Sequence, residues 1–123
     1  MIKLVFCLKR KEGLTFEAFR DHWVNRHAPL VRGFAGPLGI RRYVQSYRLE
    51  DERLNPLVAS RDPTMAFYDG VAELWYDSIE ALHDLRRSPA AREAGRALLE
   101  DERRFIDLAR SPIFFCTETT FVG

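Results

Sequence analysis

The stretch Leu14-Thr-Phe-Glu-Ala-Phe-Arg-Asp-His-Trp-Val-Asn-Arg-His-Ala-Pro-Leu-Val31 reads as an amphipathic helix with one residue out of keeping. At about 100° per residue, Phe16, Phe19, Trp23 and Leu30 fall on one stripe. His27 falls near the middle of that stripe, one turn after Trp23. Pro29 follows two residues later. A proline inside a helix removes a backbone donor and crowds the carbonyl of residue i−4, here Asn25. It also disfavours helical angles at Ala28. The helix is therefore expected over about residues 16–28, with Thr15 as its cap. Pro29 suits the first position of a short second turn, and the three glycines and Pro37 of residues 33–39 read as a turn. By the same count, His22 lies about 140° from His27 around the helix, so the two are not expected to share a metal.

Before this helix, residues 2–9 alternate, with Ile2, Leu4, Phe6 and Leu8 opposing Lys3, Val5, Cys7 and Lys9. That is a strand with one strongly apolar face. After it, residues 41–49 form a second strand that puts Tyr43, Gln45, Tyr47 and Leu49 on one side. Residues 50–69 lack a period and contain Pro56 and Pro63, so they are expected to be a loop, either a lid or a mobile hairpin tip. A third strand spans 71–76, with Glu73 between Val71 and Trp75. Ser78 caps a short helix. Ser88-Pro89 caps and starts a longer one reaching about residue 108, where Glu100 and Arg104 are spaced to pair. Residues 113–121 make the fourth strand.

The order β-α-β-β-α-β is the split βαβ of ferredoxin-like folds, an α+β class with a four-stranded antiparallel sheet carrying both helices on one face. The other sheet face then presents Trp75 or Tyr76, Phe114 or Phe115 and one side of the second strand. A second sheet packed there would bury them, which predicts a homodimer through the open sheet face.

Composition sets the outer limits. The 123 residues suffice for a single domain over 1–123, with 46% hydrophobic and 30% charged residues, an ordinary globular balance. A formal net charge of +1 supplies no long-range field, so no nucleic-acid partner is expected. No apolar run approaches the roughly 20 residues that span a bilayer, so no membrane partner is expected either. The strand-like N-terminus does not read as a signal peptide. Cys7 and Cys116 form no metal or redox motif and are expected as reduced structural thiols in a cytoplasmic protein.

Among residues that could carry chemistry, His27 stands first. Imidazole exchanges protons near neutral pH, and burial among Phe16, Phe19 and Trp23 disfavours its charged form, as a general base requires. Its alternative is a neutral core histidine bonded to a carbonyl. Tyr43 and Tyr47 could stabilise a developing oxyanion, or pack as an aromatic pair against the helices. Glu73 could act as an acid or base, or pair across strands with Arg42 or Arg48. Arg20 could hold an anionic substrate, or stay solvated. No cluster of ligands suggests a metal, and no Gly-rich phosphate loop suggests a nucleotide, so no cofactor is expected.

Three stretches carry a resemblance. Phe19-x3-Trp23-x3-His27-Ala-Pro-Leu-Val31, Gly39-Ile-Arg-Arg-Tyr43 and Tyr68-Asp-Gly-Val-Ala-Glu-Leu-Trp-Tyr-Asp-Ser78 are similar to the first-helix, second-strand and third-strand segments of EthD-domain proteins. The resemblance covers nearly the whole chain. It implies the dimeric α+β barrel superfamily, in which two four-stranded sheets close into one barrel. Methylmuconolactone-type isomerases of that superfamily place a histidine and a tyrosine in the substrate pocket, at positions matching His27 and Tyr43. The cysteine such enzymes carry on the third strand corresponds here to Leu74, a departure from that isomerase pattern.

The expected function is a cofactor-independent enzyme moving protons on a small enolisable or aromatic substrate, as an isomerase, cyclase or dehydratase. His27 and Tyr43 are the expected catalytic pair, and Phe16, Arg20, Trp23, Tyr47 and Glu73 the expected substrate contacts. Two alternatives are a cofactor-free oxygenase of the same fold and a non-catalytic small-molecule carrier.

Overall fold

A computed structural model describes residues 1–61 and 67–123 of the chain. Strands β1 (Ile2–Leu8), β2 (Arg42–Tyr47), β3 (Gly70–Tyr76) and β4 (Ile113–Cys116) form one antiparallel sheet in the order β2-β3-β1-β4. Helix α1 (Phe16–His22) leads into a π-helical turn, Trp23–His27, and then into α2 (Ala28–Leu38). The second crossover holds α4 (Ile79–Asp84) and α5 (Pro89–Phe105). This is the expected ferredoxin-like order, and α2 packs along α5.

The caps lie where the serines and threonine of the sequence put them. Thr15 accepts from the amide of Ala18 at 3.1 Å, Ser78 from Ala81 at 3.0 Å and Ser88 from Ala91 at 3.1 Å. Each satisfies one amide that the first helical turn leaves free.

The pleat sorts the sheet into two faces. Paired residues share a face, so Leu4, Phe6, Leu8, Ala72, Leu74, Tyr43, Gln45 and Tyr47 all look toward the helices. There Phe6, Leu8, Phe19, Trp23, Ala72, Phe105 and Ile106 form the core. Gly70 is indispensable to it, because a Cβ at that position would stand 2.5 Å from Cζ3 of Trp23 and 2.7 Å from the carbonyl oxygen of Ser46. The opposite face shows Val5, Val44, Val71, Trp75 and Phe114, and Glu118 beyond β4 reaches Lys3 and Trp75 there.

Several local expectations are corrected. The first helix does not stop near residue 28. It runs on through the glycines to Leu38 and ends in a Schellman motif: Gly39 has φ 66° and donates to Gly36 at 3.1 Å, and Ile40 donates to Ala35 at 2.9 Å. Pro37 can sit in the last turn because the carbonyl it fails to reach belongs to Gly33, which is exposed to solvent. The fourth strand ends at Cys116 rather than residue 121, because Cys116 already pairs with Lys3 and β1 starts one residue earlier. Within 50–69, Glu52–Leu54 is a 3₁₀ turn and α3 (Asn55–Ala59) a short helix. The part of that expected loop at residues 62–66, including Pro63, lies outside the described residues. The long helix ends at Phe105, and Leu108 opens a separate 3₁₀ turn.

Two expected ion pairs also take other partners. Glu73 pairs with Lys3 at 2.7 Å, its diagonal neighbour across the β1–β3 ladder, while Arg42 lies opposite Trp75 and covers its ring at 4.7 Å. Arg104 turns toward Asp101 at 3.3 Å rather than toward Glu100.

Candidate active site

The site begins with the π-helical turn. Pro29 has no N–H to offer Asn25, and its ring needs the space of that carbonyl. One extra residue in the preceding turn relieves this. The amide of Ala28 accordingly reaches back five residues, to the carbonyl of Trp23. The wider turn changes which side chains align. Residues five apart now share a face, so His22 and His27 converge on one carboxylate instead of diverging by about 140°. His27 Nδ1 lies 2.7 Å from Asp101 Oδ2, and His22 Nε2 lies 3.0 Å from Asp101 Oδ1.

Asp101 and its neighbour Glu102 reach the site from the last turns of α5. Burial alone would raise the Asp101 carboxyl, but the hydrogen bonds from His27 and His22 outweigh it and hold the group below the usual carboxylate range. An ionised carboxylate only accepts hydrogen bonds, so Nδ1 of His27 carries the shared proton. Burial lowers the His27 pKa, and the bond to Asp101 opposes this without cancelling it. The imidazole is therefore neutral at neutral pH, with Nε2 unprotonated.

Nε2 points toward Glu102, whose Oε2 is 3.9 Å away, too far for a direct hydrogen bond. Burial, helped by the charge of Asp101, pushes the Glu102 carboxyl up to about 7. A base without its proton thus faces a carboxyl that holds its own up to about pH 7. Both line a cavity of about 50 Å³ between helices and sheet, together with Trp23, Val31, Tyr43 and Leu98.

Tyr43 completes the polar set from the sheet side. Gln45 Nε2 donates to the Tyr43 hydroxyl at 2.7 Å and to the Trp23 carbonyl at 3.1 Å, while its Oε1 accepts from Tyr47 at 2.7 Å. With a lone pair of Tyr43 already engaged, its O–H is left to donate into the cavity. Burial pushes its pKa to about 12, so it remains a donor throughout the neutral range.

The residues singled out from sequence are thus divided. His27, Tyr43 and Trp23 meet in the cavity. Tyr47 stands behind it, edge-on to Trp23 with ring centroids 5.3 Å apart. Arg20 is exposed and covers the Tyr47 ring at 4.3 Å. Phe16 packs against Phe19 outside the cavity lining. Glu73 lies on the opposite face of the sheet from His27. Sequence reasoning missed Asp101, Glu102 and Gln45. Two acids on a charged helix resemble solvated residues, and only the packing of α5 on the π turn distinguishes them. Among the described residues no group of three or more His, Cys, Asp or Glu is placed to hold a metal.

A model of the EthD domain matches residues 11–109, which takes in the π turn, the tyrosine strand and the acids of α5. The chain belongs to the EthD family. A protein of Claviceps purpurea named "Decarboxylase" is 33% identical over 112 residues, covering 88% of this chain and 76% of its own. The "Dehydratase ustZ" of Ustilaginoidea virens is 28% identical, over 83% of this chain and 72% of its own. Among solved structures, an EthD family protein of Bacillus halodurans superposes with a TM-score of 0.63 at 21% identity, covering 97% of this EthD chain and 99% of its own. A Bacteroides fragilis protein described as dimeric, of ferredoxin-like fold, gives 0.57 at 9% identity, over 94% and 93% of the two chains. These two likenesses concern the fold. No helix among the described residues is long and apolar enough to cross a membrane.

Proposed function

We propose that this EthD protein is a cofactor-independent enzyme that eliminates water or carbon dioxide from a small enolisable or aromatic substrate by moving a proton between His27 and Glu102. One observation carries the reading: unprotonated Nε2 of His27 and the raised carboxyl of Glu102 face each other at 3.9 Å across a buried cavity. A pair of groups whose surroundings drive their proton affinities apart is how acid and base roles are divided at one pH. The names of the two curated relatives, a decarboxylase and a dehydratase, support elimination over the isomerisation or cyclisation that the sequence equally allowed.

For loss of water, His27 Nε2 removes the proton α to a carbonyl, and the electron pair moves to the carbonyl oxygen as Tyr43 donates a hydrogen bond to it. The pair then returns to form the C=C bond as the β C–O bond breaks, and Glu102 delivers its proton to the departing hydroxyl. The proton on His27 finally restores the Glu102 carboxyl. For loss of carbon dioxide, the C–C bond breaks with its electrons passing to the same oxygen, Glu102 protonates the resulting carbon, and the Glu102 carboxylate then takes a proton back from water. Asp101 stabilises the imidazolium in the first case and fixes the ring in both.

The active species is a homodimer closed through the open sheet faces. The apolar residues Val5, Val44, Val71 and Phe114 on that face, and the description of the Bacteroides protein as dimeric, support this.

The test is His27→Gln, assayed on a panel of aromatic β-hydroxy ketones and β-keto acids for release of water and carbon dioxide, with oxygen uptake followed in parallel. The variant should fold and lose at least about 10²-fold in turnover, the usual contribution of a positioned proton-transfer group. Unaltered turnover would end the proposal. Oxygen uptake in step with turnover would replace elimination by oxygenation.

A further inference from the structure

A second, outer space abuts the buried cavity. It is a cleft of about 220 Å³ between α2 and the start of β2, lined by Ala28, Val31, Arg32 and Ala35 on the helix and Arg41, Arg42 and Tyr43 on the strand side. The helix residues are spaced i, i+3, i+4, i+7, one continuous stripe. Val31 and Tyr43 line both spaces, so the two are separated by little more than those two side chains. Together they approach the roughly 300 Å³ at which small-molecule pockets begin, room for an acid of one or two rings.

The charge of the outer cleft is one-sided. Three arginines line it and no acid does. Arg41 is neutralised by Asp77, through Nε at 3.0 Å and Nη2 at 2.7 Å. Arg42 covers the Trp75 ring. Arg32, exposed on the helix stripe, takes part in no salt bridge among the described residues. The inner cavity differs: burial there disfavours charge on both the Glu102 carboxyl and the His27 imidazole. A ligand spanning both would place its anionic end outside and its uncharged, enolisable end inside.

We propose that the α2–β2 cleft is the way into the active site and that Arg32 selects a planar aromatic carboxylate, which lies with its carboxylate outermost and its ring against Val31 and Tyr43. The guanidinium fork matches a carboxylate in two parallel hydrogen bonds, a geometry that lysine or a neutral donor does not reproduce. This rests on the elimination reading for the chemistry at the inner end, but recognition can be measured without turnover.

The probes are 2-naphthoate and its neutral counterpart 2-naphthamide, titrated calorimetrically into the full chain. The wild type should bind the carboxylate saturably and at least about tenfold more tightly than the amide, and the preference should shrink as salt rises. Arg32→Gln should weaken naphthoate by about tenfold while leaving naphthamide within twofold, and Arg32→Glu should abolish naphthoate binding. Because Arg32 is exposed, both variants should retain the wild-type melting temperature. Val31→Trp should close the passage to both probes. His27→Gln should bind naphthoate like the wild type, so that a failed elimination reading with intact binding is told apart from a failed cleft. Absence of saturable naphthoate binding, equal affinity for the two probes, or an unchanged affinity in Arg32→Gln would each overturn the proposal.

Discussion

His22 and His27 stand five residues apart, yet both reach the carboxylate of Asp101, at 3.0 and 2.7 Å. A regular α-helix would send them to different faces. The π turn forced ahead of Pro29 brings them together on one side chain of α5. Asp101 is thereby a positioning residue. It touches no cavity wall, but it decides which nitrogen of His27 holds the proton.

Asp101→Asn keeps the shape and removes the charge. The amide can present its N–H to Nδ1 of His27, which would move the imidazole proton to Nε2 and leave the wrong nitrogen facing the cavity. Turnover should fall by about 10²–10⁴-fold with KM nearly unchanged, and the circular dichroism of the folded chain should be retained. A loss confined to KM would assign Asp101 to substrate binding instead.

Glu102 sets the alkaline limit. Its carboxyl is raised from 4.5 to about 7, so turnover that needs the protonated form should decline as pH passes about 7, and Glu102→Gln should be slow with that decline gone. The stability consequence has the opposite sense from a paired carboxylate. The folded protein holds this proton more tightly than the unfolded chain, so the contribution is complete below 4.5 and lost as pH rises through about 7. The difference is on the order of 3 kcal/mol. Denaturant melts at pH 5 and pH 8.5 should therefore show a larger loss at the higher pH in the wild type than in Glu102→Gln.

Gly70→Ala tests the seat of Trp23. The added Cβ meets the indole edge at 2.5 and 2.8 Å and the Ser46 carbonyl oxygen at 2.7 Å, so backbone and ring must both move. A loss of about 3 kcal/mol is expected, with a shifted tryptophan emission maximum and reduced turnover, since Trp23 lines the cavity beside His27. A melt within 0.5 kcal/mol of wild type would show that Trp23 has another place to pack.

The open sheet face has its own test. Phe114 lies opposite Val5 on that face and is 51% exposed in a single chain. Sedimentation at micromolar concentration should give a dimer for the wild type and a monomer for Phe114→Glu, because a carboxylate would be buried in the interface. A monomeric wild type would contradict the homodimer.

The element order, the caps and the apolar stripe through Trp23 and His27 were legible because each is a local pattern: a period, a serine before a proline, an alternation. The same reading placed His27 and Tyr43 near each other once the strand faces were assigned. It failed where geometry departs from the regular helix. A π turn changes the angular step for a single turn, so the separation of His22 from His27 was wrong at the one place it mattered. It failed also at 33–39, where glycines that favour a turn in isolation are held helical by α2 packing on α5. Asp101 and Glu102 resemble every other acid on α5 until the neighbouring helix is in place.

The tautomer and charge of His27 test the mechanism most directly, because acid and base roles, the part of Asp101 and the pH limits all follow from them. Two-bond ¹H–¹⁵N correlation of the histidine-labelled protein, followed from pH 4.5 to 8, reads both. The expected result is a neutral His27 ring protonated on Nδ1 at pH 7, titrating below its ordinary value of 6.5. A His27 that is an imidazolium at pH 7, or a neutral ring protonated on Nε2, would contradict it.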